Sequence, residues 1–198
     1  MERSFGELLR ALREAVRRGH DITAIEDDLD HLAEFEPEAS RVQALAYTGD
    51  ESGRLWGLGK IGDPRDLEVF VAALDDPALR MTAFEGLGQQ PDRVRVDAVV
   101  RPYLHDGDPR TRARAVGLVS WCRQPGALQA LTPLAGDENA GVRRSLGICL
   151  ERLGAEAEPL LLVLMEDPDP GVRASASLGM RRLRAGRGRG PAQPDTRQ

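Results

Sequence analysis

The stretch LLLVLMEDPDPGVRASASLGMRRL (160–183) holds one structural unit: an apolar run, a short acidic loop and a second run with an apolar stripe. Leu160, Leu161, Val163 and Leu164 end a first helix that starts near Pro159. Val172, Ala176, Met180 and Leu183 recur at helical spacing and mark the buried stripe of a second helix. The loop accounts for the break. An aspartate side chain accepts from the free N–H groups of a new helix's first turn, and a proline in that turn gives up a donor that had no partner.

Toward the N-terminus the same unit recurs. Leu74, Leu104, Leu134 and Leu164 stand 30 residues apart and open the loops LDDPALR, LHDGDPRTR, LAGDENAGVR and LMEDPDPGVR. Behind them come Arg80, Arg112, Arg143 and Arg173, at spacings of 32, 31 and 30. A fixed period in this range is the signature of a stacked repeat array. Asp-Pro pairs at 63–64, 76–77, 108–109 and 169–170 predict helix starts, with Asn139 as the cap of the third unit. Gly62, Gly88, Gly126 and Gly154 predict helix ends. The expected fold is all-α, a right-handed α-solenoid of stacked helix pairs.

The string GLGKIGDPRDLEVFVAALDDPALRMTAFEGLG (57–88), with the later loops DGDPRTR and DPDPGVR, resembles the short HEAT-like repeats associated with phycobilisome lyases. The resemblance covers roughly residues 37–185. It implies a hydrogen-bonded ladder between adjacent repeats, with Asp106, Asp137 and Asp167 as acceptors and Arg112, Arg143 and Arg173 as donors. Two positions depart from the pattern: Thr111 replaces the usual valine before Arg112, and the unit at 49–61 has its arginine displaced to Arg54. That unit is expected to be irregular. Tetratricopeptide repeats fit worse, and the ankyrin-like fragment TPLA (132–135) occurs once, at the end of a helix.

Composition narrows the classes. The chain has 198 residues and a net charge of −5, and its most apolar run, 159–165, is far too short to span a membrane. The start MERSFGELLRALREAVRR lacks the apolar centre of a secretory signal, and Ser4 with Glu7 forms a capping-box pattern. Two cysteines, Cys122 and Cys149, imply no disulfide framework, so the expected location is the cytoplasm. Lys60 is the only lysine among 27 basic residues, a bias expected of a GC-rich bacterial genome. Residues 20–40 hold eight carboxylates without Arg or Lys, whereas 171–198 hold seven arginines against Asp195. The expected organisation is an N-terminal helical cap at 1–36, with helices near 4–18 and 22–35, an array at 37–185 and a disordered basic tail at 186–198.

Candidate sites follow from register. Asp27, His31 and Glu34 share a helical face, which reads as a solvated acidic face rather than a metal site, because one face rarely supplies enough ligands. Cys122 and Cys149 align with the buried stripe and read as small hydrophobes. The ladder position removes Arg112, Arg143 and Arg173 from any phosphate-binding stripe. Second-helix positions off the core stripe are expected to line a concave groove: Trp56, Met81, Phe84, Glu85, Val116, Trp121, Arg144, Ile148, Glu151, Leu178, Arg181 and Arg182.

The expected function is a non-catalytic protein–protein interaction scaffold or adaptor that docks a partner peptide or domain on that surface, without cofactor or metal. Trp121, Phe84 and Ile148 are the expected anchors. The partner is expected to be another protein, with no membrane association, and the chain to be monomeric by itself. Nucleic acid is disfavoured by the acidity and by basic residues that cluster at one end. The resemblance also implies an alternative: a lyase or chaperone-type accessory factor, or an alkyl-base DNA glycosylase. A third reading has the acidic N-terminal helix contact a basic partner.

Overall fold

The computed structural model describes residues 3–187, and among them all regular structure is helical. The expected basic tail at 186–198 lies almost wholly outside the described residues. Packing divides the chain into two compact units, Met1–Asp92 and Arg93–Gln198. Within each, helices stack in consecutive pairs, so the all-α solenoid expected from the period is what the chain builds.

The first unit holds α1 (Phe5–Arg18), α2 (Thr23–Phe35), α3 (Pro37–Leu45), α4 (Glu51–Ile61), α5 (Leu67–Ala73) and α6 (Arg80–Gln89), with a 3-10 turn at Pro64–Asp66 before α5. Ser4 and Glu7 cap α1 reciprocally, and Gly19 ends it in the left-handed region at φ 68°. Phe5, Leu8, Leu9 and Leu12 form its buried stripe. Asp50 caps α4 by accepting from the Gly53 N–H at 2.7 Å, and Gly62 ends that helix at φ 67°. α4 lies against α3 and α6, and a Cβ on Gly59 would sit 3.3 Å from the Gly86 Cα, so the small residues set that approach.

Two expected punctuation marks act differently here. Asp76 accepts from the Ala78 N–H at 2.8 Å and shapes a turn, while α6 itself starts at Arg80. Gly88 does not stop α6, which runs on to Gln89. The stop comes from Pro91, which forces Gln90 into extended backbone (φ −76°, ψ 135°).

The second unit holds α7 (Arg93–Val100), α8 (Pro109–Cys122), α9 (Ala127–Leu131), α10 (Ala140–Cys149), α11 (Glu158–Met165) and α12 (Pro170–Arg187). Asp108 caps α8 and Asn139 caps α10, as their loops predict. The first helices of two pairs tighten into 3-10 turns, Arg101–His105 after α7 and Thr132–Gly136 after α9. Pro102 and Pro133 cause this, since neither can donate the N–H that a continuing α-helix requires. α11 carries its proline in the first turn and stays α-helical throughout. Leu104, Leu134 and Leu164, the period-30 leucines of this unit, are all buried beneath α8, α10 and α12. α10 packs between α8 and α12.

Candidate partner-binding surface

The loop arginines Arg112 and Arg143 are consumed by structure. Arg112 donates through Nε and Nη2 to both oxygens of Asp137, at 2.8 and 2.9 Å, while its Nη1 donates to the Asp106 and Gly107 carbonyls. Arg143 repeats the arrangement one unit on, reaching Asp167 at 2.7 and 3.0 Å and the Asp137 and Glu138 carbonyls. Such bidentate, charge-assisted pairs hold Asp137 and Asp167 below the usual carboxylate range. The arginine side chains keep only 10 and 13% exposure. They are rungs between adjacent repeats, not a phosphate stripe.

Three further arginines pair with carboxylates outside the loop motif. Arg41 on α3 grips Asp66 bidentately at 2.9 and 2.7 Å. Arg54, the displaced arginine of the irregular unit, pairs within its own helix with Glu51. Arg101 binds Asp97 at 2.5 Å and donates to the Pro125 and Gly126 carbonyls, tying the loop before α9. Spacing was the available signal for Arg41, since it precedes Asp66 by 25 residues, as Arg112 precedes Asp137.

Register from the rung arginine sorts the expected groove residues. Positions one, five and nine beyond it form one helical stripe: Ala113, Gly117 and Trp121 on α8; Arg144, Ile148 and Arg152 after it; Ala174, Leu178 and Arg182 on α12. Arg144, Ile148, Ala174 and Arg182 are exposed, and Trp121, Arg152 and Leu178 are half-buried. The Arg93 guanidinium lies 4.4 Å from the Trp121 ring centroid and covers one face of the indole. Arg144 reaches Asp169 at 3.4 Å and lies across Gly171.

Several expected groove residues fall elsewhere. Phe84 and Val116 are fully buried and belong to the core. The reason is two-sided packing: α6 contacts both α4 and α5, and α8 contacts both α7 and α10, so each buries an arc wider than one stripe. Glu151 (half-buried) and Arg181 (exposed) stand eight beyond their rung arginines, the register at which α8 turns Ser120 toward α10, rather than on the groove stripe. In the first unit Met81 is half-buried and Glu85 exposed on α6. Trp56 is half-buried on α4, with the Lys60 Nζ 5.1 Å from its ring centroid.

Trp56 also lines a cleft of about 130 Å³ between α1, α2 and α4, whose other apolar walls are Leu9, Leu12, Val16 and Ile22. Arg13, held by Asp50 at 2.8 Å, and Glu26 stand at this cleft. Its walls come from three helices, so no single periodicity announces it. Asp27, His31 and Glu34 are exposed, and the His31 ring leans on Phe35 at 4.6 Å. Among the described residues no three His, Cys, Asp or Glu side chains converge as metal ligands. Burial pushes the Cys122 thiol up to about 12 and raises that of Cys149, which is half-buried rather than buried.

Helix pairs stapled by loop aspartates and arginines define a protein of the helical-repeat class. Residues 68–151 match the family model for HEAT repeats. No curated protein matches the chain significantly. Among solved structures, human deoxyhypusine hydroxylase in complex with glycerol aligns with a TM-score of 0.43 and 14% identity, over 82% of this chain and 75% of that one. A chain of the complex of CpcE and CpcF of phycocyanin lyase from Nostoc sp. PCC7120 aligns with a TM-score of 0.40 and 19% identity, over 89% of this chain and 97% of that one. At such scores neither alignment transfers an activity or a residue role. Among the described residues no helix is long and apolar enough to cross a membrane.

Proposed function

We propose that this helical-repeat protein is a non-catalytic scaffold that docks a segment of a partner protein on the second-helix stripe of the Arg93–Gln198 unit. The carrying observation is Ile148, 36% exposed on a helix whose neighbours are locked by rungs, with exposed Arg144 beside it and Trp121, Leu178 and Arg182 on the same stripe of the flanking helices. An apolar strip bordered by arginines fits an amphipathic segment with acidic flanks. Rigid backing favours such docking, because the scaffold loses little conformational freedom when the partner arrives. The thiols support a non-catalytic reading. With Cys122 and Cys149 raised by burial, both stay protonated at neutral pH and offer no thiolate nucleophile.

Affinity capture with the full chain supplies the partner, and paired variants locate its contact. Ile148→Glu is expected to weaken partner binding by about 2 kcal/mol or more with the helical circular-dichroism signal intact. Val163→Glu, at an exposed position on α11 away from the stripe, is expected to bind as the wild type does. Equal binding by wild type and Ile148→Glu would remove the stripe from consideration. A tightly co-purifying pigment or nucleic acid in place of a protein would overturn the scaffold reading.

A further inference from the structure

We propose that Arg173 is an open rung, a preformed fork that takes an aspartate or glutamate from an acidic loop of a partner protein. The internal rungs show what the fork is for. In Arg112, Arg143 and Arg173 alike, Nη1 is fixed by the two loop carbonyls six and five residues upstream; for Arg173 these are Asp167 and Pro168, at 2.7 and 2.9 Å. That anchorage leaves Nε and Nη2 facing outward together. In the two internal rungs they close on a carboxylate of the next repeat. In Arg173 neither has a partner among the described residues.

Burial along the helices shows the same end condition. The forward face of each second helix carries residues zero, four and eight beyond the rung arginine. Arg112, Val116 and Ser120 are buried on α8, where α10 covers them. The equivalent residues on α12, Arg173, Ser177 and Arg181, are exposed, half-buried and exposed. The chemistry of this edge selects an acid. Arg173, Arg181 and Arg184 are three cations there, and among the described residues Arg184 pairs with Glu158 at 3.5 Å. The internal rungs also specify the shape of the acid. Asp137 and Asp167 each accept a backbone N–H from two residues on, at 2.8 Å, so the natural occupant is a loop carboxylate held in such a turn. This edge is separate from the Ile148 stripe, and its test does not depend on that stripe.

The test uses the full chain labelled with nitrogen-15 and follows the arginine Nε–H resonances. The probe is a cyclic peptide bearing the chain's own loop sequence LMEDPDP (164–170), with a second peptide in which the residue matching Asp167 is asparagine. The expected result is a saturable shift of the Arg173 Nε–H with the first peptide, and affinity about tenfold weaker for the asparagine peptide or for R173Q protein. R110Q protein, altered at an exposed arginine of α8 outside both surfaces, is expected to bind within about threefold of wild type, and all variants to keep the wild-type helical signal. Equal affinity for both peptides, or no shift, would overturn the proposal. So would an Arg173 resonance that moves in D195N protein without any peptide, since the occupant would then be the chain's own C-terminal segment.

Discussion

At a rung, one planar head group serves two loops at once. Arg112 uses Nη1 to satisfy carbonyls of its own loop and Nε with Nη2 to grip the acid of the next, a division that the rigid guanidinium fork permits and a lysine ammonium does not. Removing the acid therefore strands a buried cation. Asp137→Ala leaves Arg112, only 8% exposed, with carbonyls but no counter-charge. The expected cost is about 3 kcal/mol in urea unfolding followed by circular dichroism, and a cost below about 1 kcal/mol would show that the rung is ornamental. Glu51→Ala, at the exposed Arg54 pair within α4, is expected to cost less than about 1 kcal/mol in the same assay.

At the scale of elements, glycine separates close helices from open ones. A Cβ on Gly179 of α12 would overlap the Gly147 carbonyl oxygen of α10, and one on Gly147 would sit 2.9 Å from the Ala176 nitrogen. Backbone cannot yield there as a side chain can, so Gly179→Ala is expected to lose about 2 kcal/mol. Gly117, inside α8, has nothing within 4 Å of its would-be Cβ, so Gly117→Ala is expected to gain about 0.5 kcal/mol from helix propensity. Thermal unfolding of the two variants side by side checks both signs.

The same scale shows what the linear pattern could carry. The helix pairs, the caps at Ser4, Asp108 and Asn139, and the rungs from Arg112 and Arg143 were legible because each depends on local spacing or on the fixed period. Phe84 and Val116 were misplaced because a helix gripped from two sides hides residues that a one-stripe reading exposes. The Trp56 cleft was unreadable for a related reason, since Leu9, Ile22 and Trp56 meet only after three helices have packed. Arg173 looks like Arg112 and Arg143 in sequence, and only burial and bonding distinguish an open edge from a closed one.

Over the whole molecule, the rungs and caps share a dependence on ionised aspartates. Asp63 is held down to about 2, chiefly by its bonds to Arg65, and Asp50, Asp137 and Asp167 are also lowered. An unfolded chain binds protons on these groups near the ordinary value of about 4. Protonation therefore favours unfolding: their contribution is complete above about pH 4 and drains away as pH falls through the lowered folded values toward 2. Both compact units carry such groups, Asp50 and Asp63 in one, Asp137 and Asp167 in the other, so acid is expected to weaken both. Urea midpoints at pH 7 and pH 5 should nearly coincide, and the midpoint at pH 2.5 should be clearly lower. Asp137→Asn should flatten that decline by removing one proton-linked rung, already lowering the midpoint at pH 7. A wild-type midpoint unchanged between pH 5 and pH 2.5 would mean that apolar burial alone holds the helices together and that the ladder contributes register rather than stability.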